Sequence, residues 1–187
     1  NTGHVAYPHL AKNPLFYSSK ICNDLYNLNL GKNSENFPVS NLEITSVDTG
    51  NLASNVIPSS TEISLNIRYN NSYNDKEILG KIKKICNKYS CKFSIDIISN
   101  NKPFYTPPDK FVDILISSVK KITGKSPKLS TTGGTSDARF IKDICPVVEF
   151  GAVGKTMHQV NENVFIKDLI SLQKIYEKFI LSYNDLA

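Results

Sequence analysis

The amino-acid sequence predicts an α/β fold in two parts, 1–102 and 103–187, meeting at Asn100-Asn101-Lys102-Pro103. Three observations carry this expectation. In the first half, apolar residues alternate with polar ones in short runs, and segments of helical period lie between those runs. Pro103, Pro107 and Pro108 then fall within six residues, a density that no helix or central strand continues through. Beyond them, helical and extended patterns alternate again across glycine-rich crossings, which suggests one end of an α/β sheet.

Each element has its own signal. Residues 13–29 carry Ile21, Leu25 and Leu28 at helical spacing, with Gly31 as a stop. Leu42 and Ile44 read as a short strand. Ile63, Leu65, Ile67 and Tyr69 alternate with Ser64, Asn66 and Arg68 and predict the clearest strand of the chain. Asn74 caps a helix with Glu77 in capping-box position, and Ile78, Ile82 and Ile85 form its apolar stripe. Phe93, Ile95 and Ile97 alternate once more. This α-β-β-α-β order is that of a ferredoxin-like unit lacking its first strand.

In the second half, 109–123 predict a helix with Phe111, Leu115 and Ile122 on one side and Gly124 as the stop. Leu129 sits in a short extended stretch. Residues 135–143 read as a short helix, 146–150 as a buried strand, and Leu169, Leu172, Tyr176, Phe179 and Tyr183 as the stripe of a closing amphipathic helix. The chain opens at Asn1 and its single methionine is Met157. Together with the missing strand, this leads us to expect a piece of a longer polypeptide.

Composition narrows the functional classes. Hydrophobic residues make up 40% and charged residues 21%, an ordinary globular mix. No apolar run is long enough for a membrane helix, and no charged-then-apolar leader opens the chain. The 22 Lys and Arg, with a net charge of +5, are spread over the polar faces of predicted helices, as on a solvated surface and unlike a basic stripe for nucleic acid. Neither a nucleic-acid nor a membrane partner is expected. Cys22, Cys86, Cys91 and Cys145 form no C-x-x-C pair and read as buried thiols of a reducing compartment, which points to the cytoplasm.

Chemistry-bearing residues are few. The histidines are His4, His9 and His158, and no H-E-x-x-H helix, G-x-S-x-G elbow or Walker loop occurs. A catalytic zinc needs three protein ligands, and no single segment supplies them; either this is no metalloenzyme or further ligands lie upstream. The stretch from Ser130 to Phe140, with Gly133-Gly134-Thr135-Ser136-Asp137 at its centre, reads either as an anion-binding nest at a helix start or as a well-capped turn. His158, beyond the expected strand at 146–150, is either a site residue at a sheet's carboxyl edge or a hydrogen-bonded loop histidine. Gly3 to His9 read as a constrained loop with two imidazoles. Asn55 contributes to a site or closes an Asx-turn. Arg68 projects from the face of its strand opposite Ile63, Leu65 and Ile67, suited either to a two-pronged carboxylate contact or to a surface ion pair.

Taken in order, Gly3-His4-Val5-Ala6-Tyr7-Pro8-His9, Asn55-Val56-Ile57-Pro58, Asn66-Ile67-Arg68-Tyr69, the Thr132 to Ile141 stretch, Val148-Glu149-Phe150-Gly151 and His158-Gln159-Val160-Asn161-Glu162 resemble the dinuclear-zinc amidohydrolase family. The resemblance runs from end to end of the chain and is strongest with the desuccinylase branch. It implies a subunit with a catalytic α/β domain holding two zinc ions, the second site taking zinc or cobalt, and a ferredoxin-like lid through which a homodimer forms. Residues 1–102 would be that lid and 103–187 the C-terminal portion of the catalytic domain. The implied reaction is hydrolysis of N-succinyl-L,L-diaminopimelate to succinate and L,L-diaminopimelate.

Carried over by resemblance, His158 is a metal ligand. His4 reaches the partner subunit's site and steadies the oxyanion, with Asn55 beside it. Arg68 and Gly134-Thr135-Ser136 clamp the succinyl carboxylate and the scissile amide. The other zinc ligands, a bridging aspartate and a general-base glutamate are expected in a segment before Asn1. The chain alone is therefore expected to be inactive and metal-free. Two other readings stay open: a sibling deacylase such as one acting on acetylornithine, against which Arg68 and Thr135-Ser136-Asp137 argue, and a non-catalytic dimerisation module.

Overall fold

Two amphipathic helices and a two-stranded antiparallel sheet build the core of the first unit, Asn1–Pro103. The computed structural model describes residues 1–31, 34–98, 101–133 and 136–184. Helix α1 (Pro14–Tyr26) starts at Asn13, whose side chain accepts from the Leu15 N–H at 3.0 Å, with Pro14 at the first helical position. It buries Ser18, Ile21 and Leu25. It ends before the glycine that was expected to stop it, because Asn27 turns its side-chain amide back onto the Asn23 carbonyl at 2.8 Å. Gly31 (φ 92°) instead lets the chain pass Tyr73, whose hydroxyl lies 2.7 Å from where a Cβ would sit.

The sheet pairs β2 (Asn41–Asp48) with β4 (Glu62–Arg68). Leu42 lies opposite Ile67, Ile44 opposite Leu65 and Val47 opposite Ile63. That sequence of apolar pairs requires a change of parity along β2, and the irregularity between Ile44 and Ser46 supplies it. Helix α2 (Asp75–Asn87) has the expected reciprocal cap: Asn74 accepts from the Glu77 N–H at 3.0 Å and the Glu77 carboxylate accepts from the Asn74 N–H at 2.8 Å. Its buried face is Ile78, Ile82, Ile85 and Cys86.

Polar pins complete this unit. Asn70, 2% exposed, donates from its side chain to the Pro38 carbonyl at 3.0 Å and accepts from the Ser72 N–H at 3.0 Å. Its own N–H donates to Ser40 Oγ at 3.0 Å. Lys88 and Tyr89 both donate to Asp24, at 2.8 and 3.0 Å, tying the end of α2 to α1 and holding the Asp24 carboxyl below its usual range. Tyr69 donates to Asp75 at 2.5 Å; burial first, then that carboxylate, pushes its phenol up to about 12. A phenol raised above its unfolded value of about 10 stabilises the fold fully below that value. The stabilisation is lost as pH rises through the folded value. We expect urea midpoints to fall more steeply from pH 10 to 12 in the parent than in Tyr69→Phe; parallel curves would remove the assignment.

Phe93, Ile95 and Ile97 do not form the expected strand. Ile95 packs on the core while Phe93 and Ile97 are exposed. Alternation fixes where side chains point, but a strand exists only where its backbone finds a ladder partner, and none pairs with this segment among the described residues.

The second unit, Phe104–Ala187, centres on α3 (Lys110–Thr123). Asp109 caps it by accepting from the Phe111 and Val112 N–H groups at 3.0 and 3.1 Å, and Gly124 ends it with φ 72°. The short α4 (Ala138–Ile141) follows, and α5 (Ile166–Asn184) closes the chain. Leu115 and Val119 meet Ile175, with Ile122, Phe150 and Phe179 around them. The expected stripe on α5 is thus divided. Phe179 and Ile175 face the core, while Leu169, Leu172, Tyr176 and Ile180 form an open apolar face of α5.

Residues 146–150 are not a buried strand. Val148 is 40% exposed and Glu149 is exposed; Phe150 packs against the Leu115, Val119 and Ile175 cluster, its carbonyl accepting from the Tyr176 hydroxyl. No strand exists among the described residues of this unit to pair with it. The α/β class holds, with helices and small antiparallel sheets. All four cysteines are free, but only Cys86 is buried and Cys145 is exposed, which corrects the expectation of four buried thiols. No described helix is long and apolar enough to cross a membrane.

Candidate functional site

The opening loop is built by a pairing that no sequence pattern announced. Strand β1 (Gly3–His4) pairs antiparallel with β3 (Val56–Ile57), Gly3 opposite Ile57 and His4 opposite Val56. One residue further, the Val5 N–H donates to the Asn55 carbonyl at 3.1 Å. His4 and Asn55 are therefore neighbours across a two-strand step. Gly3 is required by space: a Cβ there would stand 2.5 Å from that of Ala11.

The His4 ring has a defined direction. Its Nδ1 accepts from the Ala6 N–H at 3.1 Å, and its ring lies 5.9 Å from that of Tyr7. A neutral imidazole that accepts at Nδ1 carries its proton on Nε2. His4 thus presents an N–H donor from an exposed loop, the polarity an oxyanion needs. On the β3 side, Asn51 shapes the loop: its amide donates to the Ala53 and Val56 carbonyls at 3.1 and 2.9 Å, and its carbonyl accepts from the Ala53 N–H at 3.1 Å. Sequence reading gave Asn51 no role, although Asp48-Thr49-Gly50-Asn51 is turn chemistry.

Arg68 ends β4 opposite Asn41, exposed, alternating with the core-packed Ile67. It belongs to the β2–β4 sheet, whereas His4 and Asn55 belong to the β1–β3 pair.

In the second unit, Gly134 and Thr135 lie outside the described residues. Ser136 Oγ accepts from the Ala138 N–H at 3.0 Å, so it closes the turn into α4. Gly133 has φ 136°, a backbone for glycine. Arg139, which stands in the same motif, has its Nε buried without a hydrogen-bond partner among the described residues.

His158 sits in an exposed loop with φ 60°, its N–H donated to the Glu162 carboxylate at 3.2 Å. No hydrogen bond engages its ring among the described residues. An uncommitted imidazole at a loop tip fits one metal ligand. No group of three or more His, Cys, Asp or Glu that could hold a metal occurs among the described residues, so the residues present fit part of a zinc site and not a whole one.

Residues 1–93 match the model of the peptidase dimerisation domain. The chain is 45% identical to a succinyl-diaminopimelate desuccinylase of Ehrlichia chaffeensis, covering 99% of this chain and 49% of that protein. It is 44% identical to one of Methylorubrum populi, covering 97% and 48%. The chain thus spans about half the length of the curated relatives it matches. Among solved structures, an M20 family metallo-carboxypeptidase from Sulfolobus solfataricus aligns with a TM-score of 0.72 at 18% identity, over 95% of this chain and 54% of that one. The aminopeptidase PepT of Bacillus cereus aligns with a TM-score of 0.59 at 19% identity, over 96% and 48%. At such identities the likeness concerns the fold alone.

Proposed function

We propose that the chain, whose first 93 residues match the peptidase dimerisation domain, belongs to the M20 peptidase family and is the lid and C-terminal part of a cytoplasmic desuccinylase. The intact enzyme hydrolyses the amide of N-succinyl-L,L-diaminopimelate to succinate and L,L-diaminopimelate. The observation that carries the reading is similarity at 45% identity to a desuccinylase over 99% of the chain. The lid is residues 1–102, and the homodimer forms through it.

The chain's own residues take separate parts. His4 donates from Nε2 to the oxyanion in the partner subunit's site, with Asn55 beside it. Arg68 grips the succinyl carboxylate with two parallel N–H donors. Gly134, Thr135 and Ser136 hold the scissile amide. His158 is the single ligand this chain gives to a site of two zinc ions, the second position accepting zinc or cobalt. Those metals, when bound, supply Lewis-acid polarisation and an activated water. The remaining ligands belong to the half of the relatives that this chain does not match. Leu169, Ile180 and Leu181 on α5 are 44%, 56% and 57% exposed; a run of bare apolar side chains is what a surface covered by further protein carries.

The test is a substrate panel on the intact enzyme. N-succinyl-L,L-diaminopimelate is expected to exceed N-acetylornithine in kcat/KM by about a hundredfold or more, since a site built to pair a carboxylate leaves its donors unpaired with acetyl. A preference for the acetyl substrate would replace this reading with the sibling deacylase. The chain alone, given zinc and substrate, is expected to release no succinate; measurable release would overturn the division of ligands.

A further inference from the structure

The loop around His158 has no core packing to shape it, since residues 157–167 are all exposed. Its form comes from its own hydrogen bonds. The Thr156 hydroxyl donates to the Asn163 carbonyl and accepts from the Asn163 N–H, both at 2.9 Å, so one side chain closes the loop on both backbone groups. Inside that clasp the Gln159 N–H donates to the Thr156 carbonyl at 2.9 Å, and the Asn163 amide to the Asn161 carbonyl at 2.8 Å. His158 and Asn161 both have left-handed backbones, φ 60° and 63°. Asparagine adopts that region readily, whereas in histidine the Cβ crowds the following carbonyl and makes it unfavourable. Such a conformation persists only where its surroundings over-determine it. The groups that do so here are the Thr156 clasp and the Glu162 carboxylate on the His158 N–H.

We propose that Thr156 and Glu162 are positioning residues that fix the backbone of His158, and with it the direction in which its imidazole meets the metal. This rests on the proposed role of His158 as a ligand. Without the clasp, residue 158 relaxes to negative φ and its side chain leaves the loop in another direction. Glu162, with an oxygen committed to the His158 N–H, acts through the backbone and not as a ligand.

The test uses intact enzyme, graded chelator competition for zinc, and thermal unfolding of the metal-free form. Thr156→Val and Glu162→Ala are expected to lose zinc at chelator concentrations about tenfold or more below the parent, the usual effect of removing a group that orients a ligand. Thr156→Ser and Glu162→Gln keep a hydroxyl and an acceptor, and are expected to retain the parent's affinity. Metal-free melting temperatures should agree across the set. If His158→Ala binds zinc like the parent, the ligand role falls and this proposal falls with it. If His158→Ala loses zinc while Thr156→Val and Glu162→Ala do not, the positioning role alone is overturned. Failure of the Ser and Gln variants to restore affinity, or a lowered metal-free melting temperature, would equally overturn it by marking a general loss of the loop.

Discussion

His4→Ala in the intact enzyme is expected to lower turnover about a hundredfold or more, the usual consequence of deleting one donor to a developing oxyanion. Zinc content should stay at the parent level. The geometry makes the variant informative: the Ala6 N–H holds Nδ1, so Nε2 is the nitrogen left to donate. Removing the ring leaves the β1–β3 pairing, which uses backbone groups alone. The role in the partner's site has its own readout. Mixing His4→Ala with His158→Ala subunits should restore about a quarter of parental activity, because random pairing makes half the dimers mixed and each mixed dimer holds one complete site. Zinc loss in His4→Ala would reassign the residue to metal binding. No recovery on mixing would place His4 in its own subunit's site.

Asn70→Ala is expected to destabilise the first unit by about 1–3 kcal/mol, read as a lowered denaturation midpoint. Two backbone groups at exposed residues lose their Asn70 partner together, the Pro38 carbonyl and the Ser72 N–H, and each lost bond costs roughly 0.5–1.5 kcal/mol. The bond from the Asn70 N–H to Ser40 survives, since it is a backbone donor. Asn70→Asp keeps an acceptor for Ser72 but turns a donor facing Pro38 into an oxygen, so it should be no better than alanine. A midpoint within error of the parent would mean that water replaces both bonds.

Asn70 also shows where local reading stops. Asparagine near a turn is ordinary, and nothing adjacent marks it as 2% exposed or as the link from β4 back to Pro38. By contrast, the Asn74–Glu77 cap and the Gly124 stop follow from residues within one helical turn, and the structure contains both. At the candidate site the same division holds. His4, Asn55, Arg68 and His158 were singled out as residue types in suggestive settings. That His4 and Asn55 adjoin depends on pairing residues some fifty positions apart, and no periodicity encodes it. The clasp of Thr156 on Asn163 joins residues seven apart and leaves no repeating mark in the sequence.

The sequence by itself determined where the longer helices lie, the capping box of α2, the Gly124 stop of α3 and the face that β4 buries, because helical period, strand alternation and capping are local physics acting over one or two turns. Only the tertiary structure decided which extended segments became strands. The runs at 93–97 and 146–150 have strand-like composition but find no ladder partner among the described residues, while Gly3–His4, too short to predict, is a strand because Val56–Ile57 lies beside it. A helix satisfies its backbone from within; a strand depends on hydrogen bonds from a distant segment, and that dependence is not written at either end.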